Sequence, residues 1–261
     1  MWNLKFISEG NFKTHVENTI RNYGSKLKAY DLNRFNSNIV DPIKFIFDKH
    51  IFNNSWEEVI KNEIARQRDK TSNNEIGYFH QRIFQYIEGC VVPDKGWDVI
   101  FTKRRRISLP DGDNVKTVYV EMKNKHNTMN SASSAKTYMK MQGQLLRDDD
   151  CACFLVEAIA RHSQNIPWVA SVDGTPQKHR RIRRVSMDEF YRIVTGQEDA
   201  FYQMCLQLPA VINEVVNGTT TLSIPNDTVF EELNHIAQQK NGSFILALYM
   251  LGFGSYHGFS S

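Results

Sequence analysis

Cysteine is scarce. Cys90, Cys151, Cys153 and Cys205 are too few and too scattered for a disulfide scaffold or a zinc site. Cys151 and Cys153 are one residue apart, not the two-residue spacing of a zinc knuckle. Their run, Cys-Ala-Cys-Phe-Leu-Val, reads as a buried strand in which a free thiol packs as a small hydrophobe. No segment approaches the roughly eighteen apolar residues of a membrane span. The opening Met1 to Lys5 lacks the basic, apolar and small-residue succession of a secretory signal, so a cytoplasmic location is expected. No glycine-rich loop follows an early strand and no Pro-Cys pair appears, which counts against a methyltransferase. Ser8, Ser25 and Cys90 have no elbow-like context and the histidines are scattered, which counts against a Ser/His/Asp or Cys/His hydrolase. Internal repeats, low-complexity tracts and a clear linker are also missing.

What is present is an ordinary globular composition, 41% hydrophobic and 23% charged. Residues 8 to 30 have helical spacing through Phe12, Val16, Thr19, Ile20 and Tyr23. Asp41-Pro42 opens a second helix, and Trp56, Val59, Ile60 and Ile64 mark a third. A polar turn over 69–74 then leads to a fourth, from Glu75 to Phe84. The period changes at Trp97 to Phe101, an apolar run that reads as a strand. Pro110-Asp111-Gly112-Asp113 is a turn signal, and Thr117 to Lys123 a second strand. Ser131 to Arg147 is an amphipathic helix, Cys151 to Ile159 a third strand, 168–172 a fourth, and the chain from Asp188 is largely helix and loop. The order helix, hairpin, helix, strand implies an α/β fold with a mixed central β-sheet flanked by helices.

Net charge is only +3, but its distribution is uneven. Lys103 to Arg106 is one basic cluster and Lys178 to Arg184 another; Glu121 is the sole acid between itself and Arg147, against five cations. Such patches suit a polyanion, although each alone is also the pattern of a solvated face. On a strand, residues two apart share a face, so Glu121 and Lys123 point the same way. A hairpin closing at Asp111-Gly112 can bring Asp98 beside them. Buried carboxylates need a partner, and a divalent cation with hard oxygen ligands, Mg2+, supplies one. Metal at Asp98 and Glu121 with Lys123 alongside is what phosphodiester hydrolysis requires. Glu-X-Lys on an exposed strand is equally the pattern of a surface ion pair.

Asp98 followed by Glu121-Met122-Lys123 resembles the PD-(D/E)XK nuclease superfamily of restriction and repair enzymes. The family's Pro before the Asp is replaced by Trp97; Pro93-Asp94 and Pro110-Asp111 keep Asp94 and Asp111 as alternatives for the first carboxylate. The opening Trp2-Asn3-Leu4, and the stretches from Asn38 to Pro42, Asn74 to Gln81 and Gly96 to Val99, are similar to a type II restriction endonuclease group that cuts GGNCC. The resemblance implies a restriction-endonuclease-like core within one domain over 1–261: a helical N-terminal region (1–72), a catalytic core (73–175), then a DNA-contact loop with a helical C-terminal region (176–261). It implies catalysis by Asp98, Glu121 and Lys123, with Glu75 reaching the metal; for Glu75 a favoured place at a helix N-terminus is the alternative. DNA contacts are expected from Lys125, Asn127, Lys178, Arg180, Arg181, Arg183 and Arg184, to phosphates or to guanine edges. A palindromic target implies a homodimer on double-stranded DNA. The rivals are a structure-selective or repair nuclease of the same superfamily and a non-catalytic DNA-binding protein.

Overall fold

In the computed structural model the residues described are 2–26, 28–126, 128–218 and 226–255. Backbone contacts divide the chain into two compact units, Met1–Ile20 with Glu75–Thr220, and Arg21–Asn74 with Thr221–Ser261. The dividing points fall inside helices α1 (Glu9–Lys26) and α4 (Trp56–Arg82), so each helix supplies residues to both.

The first unit is built on a six-stranded sheet of β1 (Cys90–Val91), β2 (Val99–Ser108), β3 (Asn114–Lys125), β4 (Cys151–Ile159), β5 (Asn165–Val172) and β6 (Thr175–Ser186), in the order β1-β2-β3-β4-β6-β5. The pairs β1–β2, β2–β3 and β5–β6 are antiparallel, and β3–β4 and β4–β6 parallel. The sheet is therefore mixed and helix-flanked, as the sequence implied. Helix α5 (Ser131–Arg147) makes the β3-to-β4 crossover that a parallel pair requires. It begins on Asn130, whose side chain accepts from the Ser133 N–H at 2.8 Å.

Alternation sorts the sheet's two faces. Val118 and Val120 of β3, with Ala152, Phe154 and Val156 of β4, join a core that includes Phe12, Phe79, Ile83, Phe84 and Phe190, the last on α6 (Met187–Thr195). Cys153 and Leu155 face Tyr138 and Met141 of α5. Central β4 is thus apolar on both sides, the expected pattern for a parallel strand covered on each face. The remaining helix of this unit, α7 (Ala200–Gly218), carries Pro209.

In the second unit α2 (Leu32–Phe35), α3 (Pro42–Ile51), α8 (Val229–Gln239), α9 (Phe244–Phe253) and the first part of α4 enclose Phe35, Phe45, Ile60, Leu233 and Leu248. Asp41 caps α3 through the Ile43 and Lys44 N–H groups. Gly252 must be glycine, because a Cβ there would stand 2.5 Å from the Pro42 ring. Arg68 holds Asp227 through two hydrogen bonds, of 2.6 and 2.9 Å.

Three expectations need correction. The polar turn over 69–74 is instead the middle of α4. That stretch contains no Gly or Pro, and its polar side chains bond along the helix, Thr71 to the Gln67 carbonyl (3.1 Å) and Asn73 to Asp69 (2.8 Å). The expected DNA-contact loop is strand β6, because its basic residues are interleaved with Ile182 and Val185, which face opposite cores. Finally, β2 extends through the basic cluster. Thr102 pairs with Thr117 and Ile107 with Val115, so residues 103–106 bulge out opposite Lys116 alone, and all are exposed. Among the described residues no helix is long and apolar enough to cross a membrane.

Candidate active site

The hairpin sets the first two carboxylates. β2 and β3 stay paired up to Val99 and Val120, and the Asp98 N–H also donates to the Val120 carbonyl (3.0 Å), so Asp98 enters the hairpin beside Val120 and next to Glu121. Of the three aspartates considered, Asp98 is the one so placed: Asp94 lies on the exposed turn before β2, and Asp111 is at the far end of the hairpin, bonded to Arg183. One Asp98 carboxylate oxygen accepts the Met122 N–H at 2.7 Å. Glu121 forms an ion pair with Lys140 of α5. The Lys140 ammonium also lies 4.1 Å from the centroid of the Trp97 ring, over its face, and bonds to the Gly96 carbonyl.

Lys123 follows on the same face as Glu121 and pairs in register with Glu157 of β4. Glu157 is 2% exposed, and its charge is answered by Arg184, whose Nε donates to Oε1 at 2.8 Å, while Gln164 donates to Oε2 at 3.3 Å. His126 Nδ1 is 2.6 Å from an Arg184 nitrogen. A guanidinium can only donate, so Nδ1 is the acceptor and cannot also donate to Glu157 at 3.2 Å. Lys123, Lys125, Glu157 and Arg184 line a cavity of about 70 Å³ between the sheet and the start of α5. Polar side chains thus replace the apolar floor at the carboxyl ends of β3, β4 and β6, where parallel sheets commonly place ligands.

Glu75 lies on the part of α4 in the same unit and is 3% exposed. Two residues on, Gly77 approaches β3 so closely that a Cβ would lie 3.0 Å from the Asn124 side chain. Among the described residues no three His, Cys, Asp or Glu side chains form a ready metal cage. The donor set nevertheless fits a hard divalent cation. Asp98, bonded to the Met122 N–H, and Glu121, already answering a cationic group, lie in adjoining positions, and Mg2+ is commonly held by one or two carboxylates with the substrate phosphate and water completing its shell.

The basic residues of β6 are largely committed within the protein. Arg183 is fully buried, bonding Asp111, the Asn165 side chain and carbonyl, and the Arg180 carbonyl. The expectation that it touches DNA is therefore corrected, since reaching solvent would abandon every one of these bonds. Arg184 is held by Glu157, and Arg181 donates to the carbonyls of Asp149 and Cys151. Arg180 is exposed and paired with Asp113 at 2.8 Å, while Lys178 and Lys125 are exposed. Asn127 lies outside the described residues. Reasoning from the sequence gave no role to Glu157 and counted Lys140 only as part of a basic patch. The signal for Glu157 was an acid inside an otherwise apolar strand.

A mixed sheet carrying two neighbouring carboxylates and a lysine at its strand ends defines a nuclease-like α/β core. Comparison with known proteins gives its kind. Residues 4–217 match the family model described as Eco47II restriction endonuclease. The chain is 31% identical over 246 residues to the type II restriction enzyme Sau96I of Staphylococcus aureus, covering 91% of this chain and 90% of that one. It is 29% identical over 240 residues to the type II restriction enzyme Eco47II of Escherichia coli, covering 87% and 95%. The chain belongs to the Eco47II restriction endonuclease family. It is therefore a type II site-specific deoxyribonuclease acting on double-stranded DNA, a class that generally uses divalent metal ions.

Proposed function

We propose that this enzyme makes Mg2+-dependent double-strand cuts at GGNCC as a homodimer, with Asp98 and Glu121 holding the metal, Glu75 completing its surroundings and Lys123 serving the attacking water. The observation that carries this reading is the approach of Asp98 to the Glu121-Met122-Lys123 stretch, where its carboxylate accepts the Met122 N–H at 2.7 Å, with Glu121 and Lys123 on one face of β3. When bound, Mg2+ polarises the phosphodiester and lowers the pKa of water at the site. Lys123 orients that water and offsets the negative charge developing on the phosphate. Glu157, fixed by Arg184 and Gln164, gives the Lys123 side of the site a rigid acidic wall.

Lys125, Lys178 and Arg180 are the exposed cations assigned to DNA; Arg181 and Arg184 brace the sheet beneath them. The palindromic target calls for two-fold symmetry. For the subunit contact we assign α3, whose Ile43, Phe47 and Ile51 recur at helical spacing and are 49%, 60% and 68% exposed. Helix α9 is less suited, because Phe244, Ala247 and Leu248 are spent in its own unit's core.

The test is digestion of a plasmid of known sequence with Mg2+, beside EDTA and Glu121→Ala controls. Fragments ending at GGNCC, lost in both controls, are expected. Discrete ends at another sequence would overturn the specificity, and Mg2+-dependent smearing would overturn site-specific recognition under these conditions.

A further inference from the structure

Lys140 is not part of the Asp-Glu-X-Lys set, yet it makes the most direct contact with it. Its ammonium is held by three groups of different kinds: the Glu121 carboxylate, the Gly96 carbonyl and the face of the Trp97 ring. Gly96 and Trp97 immediately precede Asp98, so one side chain from α5 ties the strand that carries Glu121 to the segment that carries Asp98. The Glu121 side chain is 14% exposed and that of Lys140 37%, so the pair is neither sealed in the core nor fully screened by water. Ammonium and a divalent cation cannot occupy the same carboxylate lone pairs together. A flexible four-carbon stem allows the ammonium to leave without moving the helix.

We propose that Lys140 is a tethered counter-ion, occupying Glu121 until a divalent cation displaces it. The inference rests on the metal-site reading above and adds an exchange step to it. With Lys140 in place, Glu121 is neutralised and positioned without metal; on displacement, a free ammonium is delivered beside the site where a phosphate must bind. Lys140 is in this sense a positioning residue, and Trp97 reports its presence.

The exchange is tested on the full chain without DNA, by calorimetric titration with Ca2+ as a divalent probe that permits binding to be read without activity. Lys140→Met keeps the apolar stem and removes the charge; it is expected to bind Ca2+ about tenfold more tightly than the parent. Lys140→Arg is expected to match the parent within about twofold, as is Lys136→Met, which removes a charge from the same helix without touching Glu121. The Trp97 contribution to fluorescence, obtained by difference from Trp97→Phe, is expected to change on Ca2+ addition in the parent and to stay constant in Lys140→Met. Equal affinity of the parent and Lys140→Met, or a Trp97 signal indifferent to Ca2+, overturns the exchange. Glu121→Gln separates the two readings: if it still binds Ca2+ as the parent does, the ion lies elsewhere, and the metal-site reading falls together with the exchange.

Discussion

His15 is packed beneath Phe79 and Tyr86, with Nε2 at 2.9 Å from the Phe79 carbonyl. Burial pulls its pKa down to about 4, and the nearby Arg82 and His80 charges act in the same direction. The unfolded chain therefore binds a proton more readily than the folded one between about pH 6.5 and 4, so stability is complete above that window and is lost as pH falls through it. Urea titrations at pH 7.5 and 5 should show a loss of up to about 2 kcal/mol on acidification, much reduced in His15→Met. An unchanged difference in the variant would transfer the effect elsewhere. The chemical residues give a different kind of prediction. Lys123→Ala should lower the cleavage rate on the order of a thousandfold with little change in melting temperature. Arg183→Met should do the reverse, costing roughly 2–3 kcal/mol by orphaning Asn165 and Asp111 while leaving DNA affinity within about twofold. Loss of DNA affinity at unchanged stability would restore Arg183 as a DNA contact. The sequence showed these arginines as one basic run. Their partners, Asp111, Asp113, Asn165 and Glu157, are far away along the chain, and nothing local distinguishes a guanidinium aimed inward from one aimed at solvent.

At the scale of elements, legibility followed the strength of the period. Helix α5 and strand β4 have the bounds expected from the sequence, Ser131–Arg147 and Cys151–Ile159, because amphipathic spacing and an unbroken apolar run leave little ambiguity. The turn at Gly112, whose φ of 86° glycine adopts freely, was legible too, but the bulge at 103–106 shifts the register by three residues before Asp98 is reached, and nothing local announced it. Strand β6 was missed because five of its twelve residues are Lys or Arg, and the sheet satisfies them through partners on β4, β5 and the hairpin. The break expected in α4 came from a polar composition that tertiary structure overrides. Asn73→Pro distinguishes the two descriptions. In a continuous helix it should cost about 3 kcal/mol, seen as a lower urea midpoint, whereas a turn at 69–74 would accept it nearly without loss.

At the scale of the molecule, a subunit contact through α3 has a direct consequence for assembly. On the proposed dimer, in which each active site severs one strand, Phe47→Glu should shift sedimentation from dimer to monomer and reduce double-strand cutting far more than binding to a half-site. A dimer that persists in this variant would move the interface away from α3. The thiols offer a way to see such an assembly directly. Cys151 and Cys153 are buried in β4, and burial pushes the Cys90 thiol up to about 12, while Cys205 is exposed on α7. A spin label or a donor–acceptor pair added under mild conditions will therefore settle on α7, once in each subunit of the proposed dimer. The enzyme supplies its own molecular ruler, reading the spacing between the two halves of an assembly as DNA is engaged and released.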